Sequence, residues 1–142
     1  MLKIYIGLLV LFAACALPPS SATDEVIASV DKVMQAINQA SPQLLDEWMT
    51  ANALVTMVTD DGKSHASTRS EMQSSLMSGG KTKFHERTWG HQVKISGGLA
   101  SVWVNYEFTI DNEFSHAGVN AIHLVNADGK WWVNNITYSV RD

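Results

Sequence analysis

His116, Asn120 and Asn135 are the polar groups that the last third of this chain sets among β-branched and aromatic residues, with Trp103 nearby. Such a set can hold a small, partly apolar molecule. A histidine in that setting can donate a hydrogen bond or serve as a general base near neutral pH, so His116 is the candidate for catalysis; its other reading is a cross-strand pair with Glu107 at the sheet surface. Isomerase or dehydratase chemistry asks for a carboxylate base in an apolar cavity and an acid to hold the enolate oxygen. Asp46, Glu86, Tyr106 and Tyr138 offer those groups, although nothing in their spacing compels the arrangement. Glu86 and Arg87 are neighbours, and adjacent strand residues point to opposite sides, so at most one of them faces inward.

The histidine pattern does not predict a metal site. His85 and His91 share a strand face but lie about 20 Å apart at roughly 3.3 Å per residue, too far to share an ion. His116 and His123 point to opposite faces, and His85-Glu86 is followed by strand-like Arg87-Thr88-Trp89 rather than by a helical zinc motif. No metal and no cofactor is expected. The five tryptophans serve either as core or as a stacking wall for a flat ligand. Asn135-Ile-Thr137 is a glycosylation sequon in form, but strand placement and bacterial export both count against its use.

The elements that must position these groups are helices first and strands after. Val26, Ile27, Val30, Val33, Met34 and Ile37 recur at helical spacing, with Thr23 as a cap and Asp24 and Glu25 in the first turn. Ser41-Pro42 opens a short second helix carrying Leu44, Leu45, Trp48 and Met49. Leu54 to Val58 reads as a strand closed by Asp60-Asp61-Gly62. Thr68 and Glu71 form a capping box for a third helix, which Gly79-Gly80 ends. Four strands then follow at roughly 83–95, 99–110, 113–126 and 130–140, joined by Ser96-Gly97-Gly98, Asp111-Asn112 and Asp128-Gly129. The fold class is α+β: N-terminal helices packed on one face of a strongly curved antiparallel sheet.

The sequence has 142 residues, 46% of them hydrophobic, and a formal net charge of -4, which suits one globular domain. Residues 1–22 are set apart: Lys3 precedes an apolar run from Ile4 to Leu17 and small residues ending Ser20-Ser21-Ala22, the layout of a secretory signal peptide cut after Ala22. The run is about 14 residues, short of the roughly 20 that span a bilayer. Phe12-Ala-Ala-Cys15 resembles a bacterial lipobox, so a lipoprotein anchored through Cys15 is the alternative to a periplasmic or secreted protein without membrane contact. Without Lys3 the balance is 9 basic against 14 acidic residues, with no basic cluster, and nucleic acid is excluded as a partner class.

The helix-rich start, the Glu86-Arg87 pair, Ala100-x-Val102-Trp103-x-x-Tyr106-x-Phe108, His116-x-Gly118 and Gly129-x-Trp131-x-Val133 resemble the nuclear transport factor 2-like superfamily, in its SnoaL-like or lumazine-binding-like bacterial branches. The resemblance covers most of residues 23–142. It implies a cone-shaped, cystatin-like roll with a deep pocket between helices and sheet, often a homodimer through the outer sheet face. For activity it is unspecific, since the superfamily holds isomerases, dehydratases, epoxide hydrolases, cyclases and members with no known reaction.

Pairing arithmetic turns the implied pocket into a face. If Asp111-Asn112 is a two-residue loop, Ile110 faces Glu113, Glu107 faces His116 and Trp103 faces Asn120; if Asp128-Gly129 is another, Ile122 faces Asn135 and Leu124 faces Val133. One face then holds Trp103, Asn105, Glu107, His116, Asn120, Ile122, Leu124, Val133 and Asn135. The other holds Val102, Val104, Tyr106, Phe108, Val119, Ala121, Val125, Trp132, Ile136 and Tyr138. The first face suits a pocket, with Trp103, His116, Asn120 and Asn135 as its ligand-facing residues, although one bulge exchanges the faces. The expected protein is thus an exported binder of a small, partly apolar ligand. The alternatives are an isomerase- or dehydratase-like enzyme using His116 or a carboxylate, and a homodimeric interaction module.

Overall fold

A computed structural model of the chain describes residues 21–141; the expected leader, with Cys15, lies outside them except for Ser21 and Ala22. Helix α1 (Ala22–Asn38) is capped by Ser21 rather than by Thr23: the Ser21 hydroxyl accepts from the Asp24 N–H, and the Asp24 carboxylate accepts from the Ser21 N–H. Two orphan helix donors are satisfied at once, which a cap at Thr23 would not achieve with Val26 three residues on. The stripe Val26, Val30, Val33, Met34 and Ile37 is buried as its spacing predicts. Helix α2 (Pro42–Trp48) starts on its proline and buries Leu45 completely. It runs straight into β1 (Met49–Thr59), so Met49 begins a strand instead of ending the helix.

Strand β2 (Ser64–Thr68) has no counterpart in the sequence reading. Its residues Ser64-His-Ala-Ser-Thr68 carry no apolar alternation, and it exists because Val58 to Leu54 of β1 pair with it residue for residue. Thr68 then caps α3 (Arg69–Ser78) through the expected box with Glu71. Strands β3 (Phe84–Ser96), β4 (Leu99–Ile110), β5 (Glu113–Ala127) and β6 (Lys130–Val140) lie within a residue of expectation. Asp111, Asn112, Asp128 and Gly129 all have positive φ, as the twist of two-residue hairpins requires.

The sheet order is β2-β1-β6-β5-β4-β3, antiparallel except where β1 runs parallel to β6. The helices pack on its concave face, where Val26, Val30, Val33 and Leu45 form one core with Val102, Val104, Ile122, Leu124, Val133 and Ile136.

Two bulges change the register. Ile110 does face Glu113, but an extra residue at Ser115 then sets Phe108 opposite His116, Glu107 opposite Ala117, Trp103 opposite Ala121 and Val104 opposite Asn120. In β6 the extra residue is Asn134: Leu124 faces Val133, whereas Ile122 faces Ile136 and His123 faces Asn135. The expected pairs Glu107 with His116, Trp103 with Asn120 and Ile122 with Asn135 are therefore replaced. The concave face takes Val102, Val104, Tyr106 and Phe108 from one expected set and His116, Asn120, Ile122 and Leu124 from the other. A bulge shifts side-chain parity by one, which is why the faces mix rather than simply exchange.

Candidate functional site

Between the helices and the concave face lies a cavity of about 330 Å³. Met34 and Ile37 of α1 and Met72 and Leu76 of α3 close one side, and Val55, Met57 and His65 of β1 and β2 form another. The sheet supplies Phe84, Glu86, Tyr106, Phe108, His116, Asn120, Ile136 and Tyr138. No lysine or arginine is among the lining residues.

Glu86 is placed by its own backbone. β3 is an edge strand, and the side-chain amide of Asn38, the last residue of α1, clips that edge: it donates to Glu86 O at 3.1 Å and accepts from Glu86 N at 2.6 Å. The clip satisfies edge groups that would otherwise need water and locks the end of α1 over the strand. Glu86 then points inward and Arg87 outward, where Arg87 meets Glu107 at 3.7 Å and lies over the Trp89 ring at 4.7 Å. Glu107 is thus occupied on the outer face and is no partner for His116.

Inside, Asn120 Nδ2 donates to Glu86 Oε1 at 2.7 Å. Asn120 is only 3% exposed. Glu86 keeps some accessible surface because the cavity reaches it, yet protein surrounds it, and that desolvation raises its pKa from the usual 4.5 to about 7, with the Asn120 hydrogen bond pulling the other way. Tyr106 is buried and its hydroxyl donates to Ser139 O at 2.7 Å. Burial, and then the nearby Glu86 carboxylate, raise the pKa values of both Tyr106 and Tyr138, so both phenols stay protonated. The His116 ring is edge-on to Tyr106 at 5.7 Å and tilted against Phe108 at 5.0 Å, with Nδ1 3.0 Å from Ser115 Oγ.

Of the four ligand-facing residues expected from sequence, His116 and Asn120 line this cavity. Trp103 does not: it stands on the convex face and is 54% exposed. Asn135 does not either, since it faces His123 on the convex side and accepts a hydrogen bond from Thr137 Oγ1 at 3.2 Å. Both corrections follow from the bulges at Ser115 and Asn134. Asp46 lies outside the cavity, paired with Arg69 at 3.0 Å. Sequence reasoning passed over His65 altogether, because a strand of small polar residues gave no reason to look there. Among the described residues no cluster of histidine, cysteine or carboxylate side chains could hold a metal ion.

No family model matches the chain, and no curated protein matches it. Solved structures do. A nuclear transport factor 2-like protein of Cytophaga hutchinsonii is 15% identical, with 86% of this chain and 100% of that chain covered and a TM-score of 0.71. A protein of Novosphingobium aromaticivorans, provisionally called a scytalone dehydratase, is 12% identical over 84% of each chain, with a TM-score of 0.68. A protein of Nostoc punctiforme with a cystatin-like fold is 8% identical, with 85% of this chain and 93% of that chain covered and a TM-score of 0.64. Identities this low speak for the fold and not for a branch within it. The chain has the nuclear transport factor 2-like fold, a cystatin-like α+β roll.

Proposed function

We propose that the cavity holds one small, mostly apolar molecule and grips it by a single polar group at Glu86 and Asn120. The observation that carries this reading is the 2.7 Å hydrogen bond between those two side chains in a space otherwise walled largely by methionine, aliphatic and aromatic residues. Apolar walls supply affinity, and a few placed polar groups supply orientation. A polarity-sensitive neutral probe, the naphthyl ketone prodan, tests it. Saturable binding of one probe per chain is expected, abolished by Val55→Trp, which fills the lumen; unsaturable binding, or indifference to that substitution, would refute a cavity site.

A second reading, favoured by the raised pKa of Glu86, is proton transfer within the same cavity. A carboxylate that titrates near 7 can take a proton from carbon and return it elsewhere on the molecule, as isomerases and dehydratases require. Glu86 is then the base, with His116 or Tyr138 as the neighbouring acid. Glu86→Gln separates the two readings, since a binder has no turnover to lose and still takes up neutral prodan, while an enzyme loses turnover by orders of magnitude.

Two further expectations stand as proposals. Export to the periplasm or beyond, with the lipoprotein route through Cys15 as alternative, rests on the layout of residues 1–22, and intact mass of the native protein decides it. Homodimerisation is supported by the convex face, where Trp103 and Trp89 stand exposed beside the Arg87–Glu107 pair, and sedimentation reads it directly.

A further inference from the structure

We infer that the molecule held by Glu86 and Asn120 is a lipophilic amine, bound as its ammonium ion; this rests on the cavity reading above. Three features of the lining carry it.

The first is charge. Glu86 is the acidic residue of the lining, and neither lysine nor arginine accompanies it. The titratable groups that share the cavity are His65, His116, Tyr106 and Tyr138, and Arg141 acts on Tyr106 from the chain's end. A buried carboxylate without a cationic partner is costly, and proteins meet that cost by neutralising it or pairing it. A ligand cation supplies the permanent positive charge that no lysine or arginine of the lining provides.

The second is hydrogen-bond polarity. Asn120 spends one donor on Glu86 Oε1, and Glu86 Oε2 and Asn120 Oδ1 are two further acceptor atoms of the same pair. Two acceptors at one place match a donor-rich, acceptor-free group. An ammonium has three donors and no acceptor and suits an ionised Glu86 beside the Asn120 carbonyl oxygen, whereas a carboxylate ligand would face like charge there.

The third is the wall. Phe84, Phe108, Tyr106 and Tyr138 all line the same space, with Phe84 and Phe108 stacked at 6.0 Å and Tyr106 and Tyr138 edge-on at 6.1 Å. Aromatic faces attract cations as well as apolar skeletons, most strongly where water is excluded. An amine on an aryl or alkyl skeleton meets all three features, whereas an anion on the same skeleton meets only the wall.

Competition against bound prodan with 2-phenylethylamine, 2-phenylethanol and phenylacetate, which share a ring and differ in the polar group, tests the inference. At pH 8 the amine should bind at least about tenfold more tightly than the alcohol, the scale of a charged hydrogen bond, with phenylacetate weakest. Glu86→Gln should bring the amine down to the level of the alcohol and leave the alcohol within a few-fold. In the wild type the amine's advantage should shrink at pH 6, where Glu86 is mostly neutral, and calorimetry in two buffers of different ionisation heat should show a proton released on binding. If prodan binds but the alcohol or phenylacetate matches the amine, the amine class is wrong while the cavity site survives. If prodan fails to bind as well, the cavity reading falls and takes the amine with it. An amine advantage that persists unchanged in Glu86→Gln also overturns the inference.

Discussion

Replacing Glu86 by glutamine should stabilise this protein, and more at pH 8 than at pH 5. The carboxyl has an ordinary pKa of 4.5 when the chain is unfolded and about 7 when folded, because burial disfavours its charge more than Asn120 favours it. A raised folded pKa means that the folded state holds the proton more tightly. The associated stability is fully present below pH 4.5 and is lost as pH rises through 7. By pH 8 the wild type therefore carries a cost on the order of 3 kcal/mol, of which roughly 2 kcal/mol develops between pH 5 and pH 8. Glutamine has the same shape, cannot ionise, and can still accept from Asn120 Nδ2. The assay is equilibrium urea unfolding of both proteins at pH 5, 6, 7 and 8, reading the difference in free energy at each pH so that histidines titrating in both variants cancel. The difference should grow in favour of Glu86→Gln from pH 5 to pH 7, between the unfolded and folded pKa values, and level off above about pH 7. A flat difference across that range would mean that Glu86 is hydrated in the folded protein and that its burial has been misjudged.

Two more substitutions probe the frame around the site. Gly118→Ala places a β-carbon 2.0 Å from the Ser139 carbonyl oxygen, which is also the acceptor for the Tyr106 hydroxyl, so β5 and β6 must separate. A loss of about 2 kcal/mol or more in unfolding free energy is expected, and a wild-type melting curve would contradict the close approach. Ser21→Ala removes the cap of α1 and should cost about 1 kcal/mol, whereas Thr23→Ala should cost far less; the reverse order in thermal denaturation would restore Thr23 as the cap. If a leader is cut after Ala22, the mature protein already lacks this cap, and a chain beginning at Thr23 should melt like Ser21→Ala.

The amino-acid sequence by itself determined the elements of this protein and their order. Local signals suffice for that: the helical stripe from Val26 to Ile37, the Thr68–Glu71 capping box, and the Asp111-Asn112 and Asp128-Gly129 turns each act over a few residues, and each appears in the structure where it was expected. Strand β2 escaped notice because nothing local makes Ser64–Thr68 a strand; its pairing with β1 does. The composition of the site was decided by tertiary structure. Which side chains share the cavity depends on strand parity, and single extra residues at Ser115 and Asn134 reset that parity without leaving a mark in the hydrophobic pattern. His116 and Asn120 accordingly meet Tyr106, Phe108 and Glu86, while Trp103 and Asn135 turn to the opposite side. Glu86 shows the same division: the sequence could say that only one of Glu86 and Arg87 points inward, but choosing between them took the Asn38 clip and the strand's place at the sheet edge, contacts that join residues 48 positions apart.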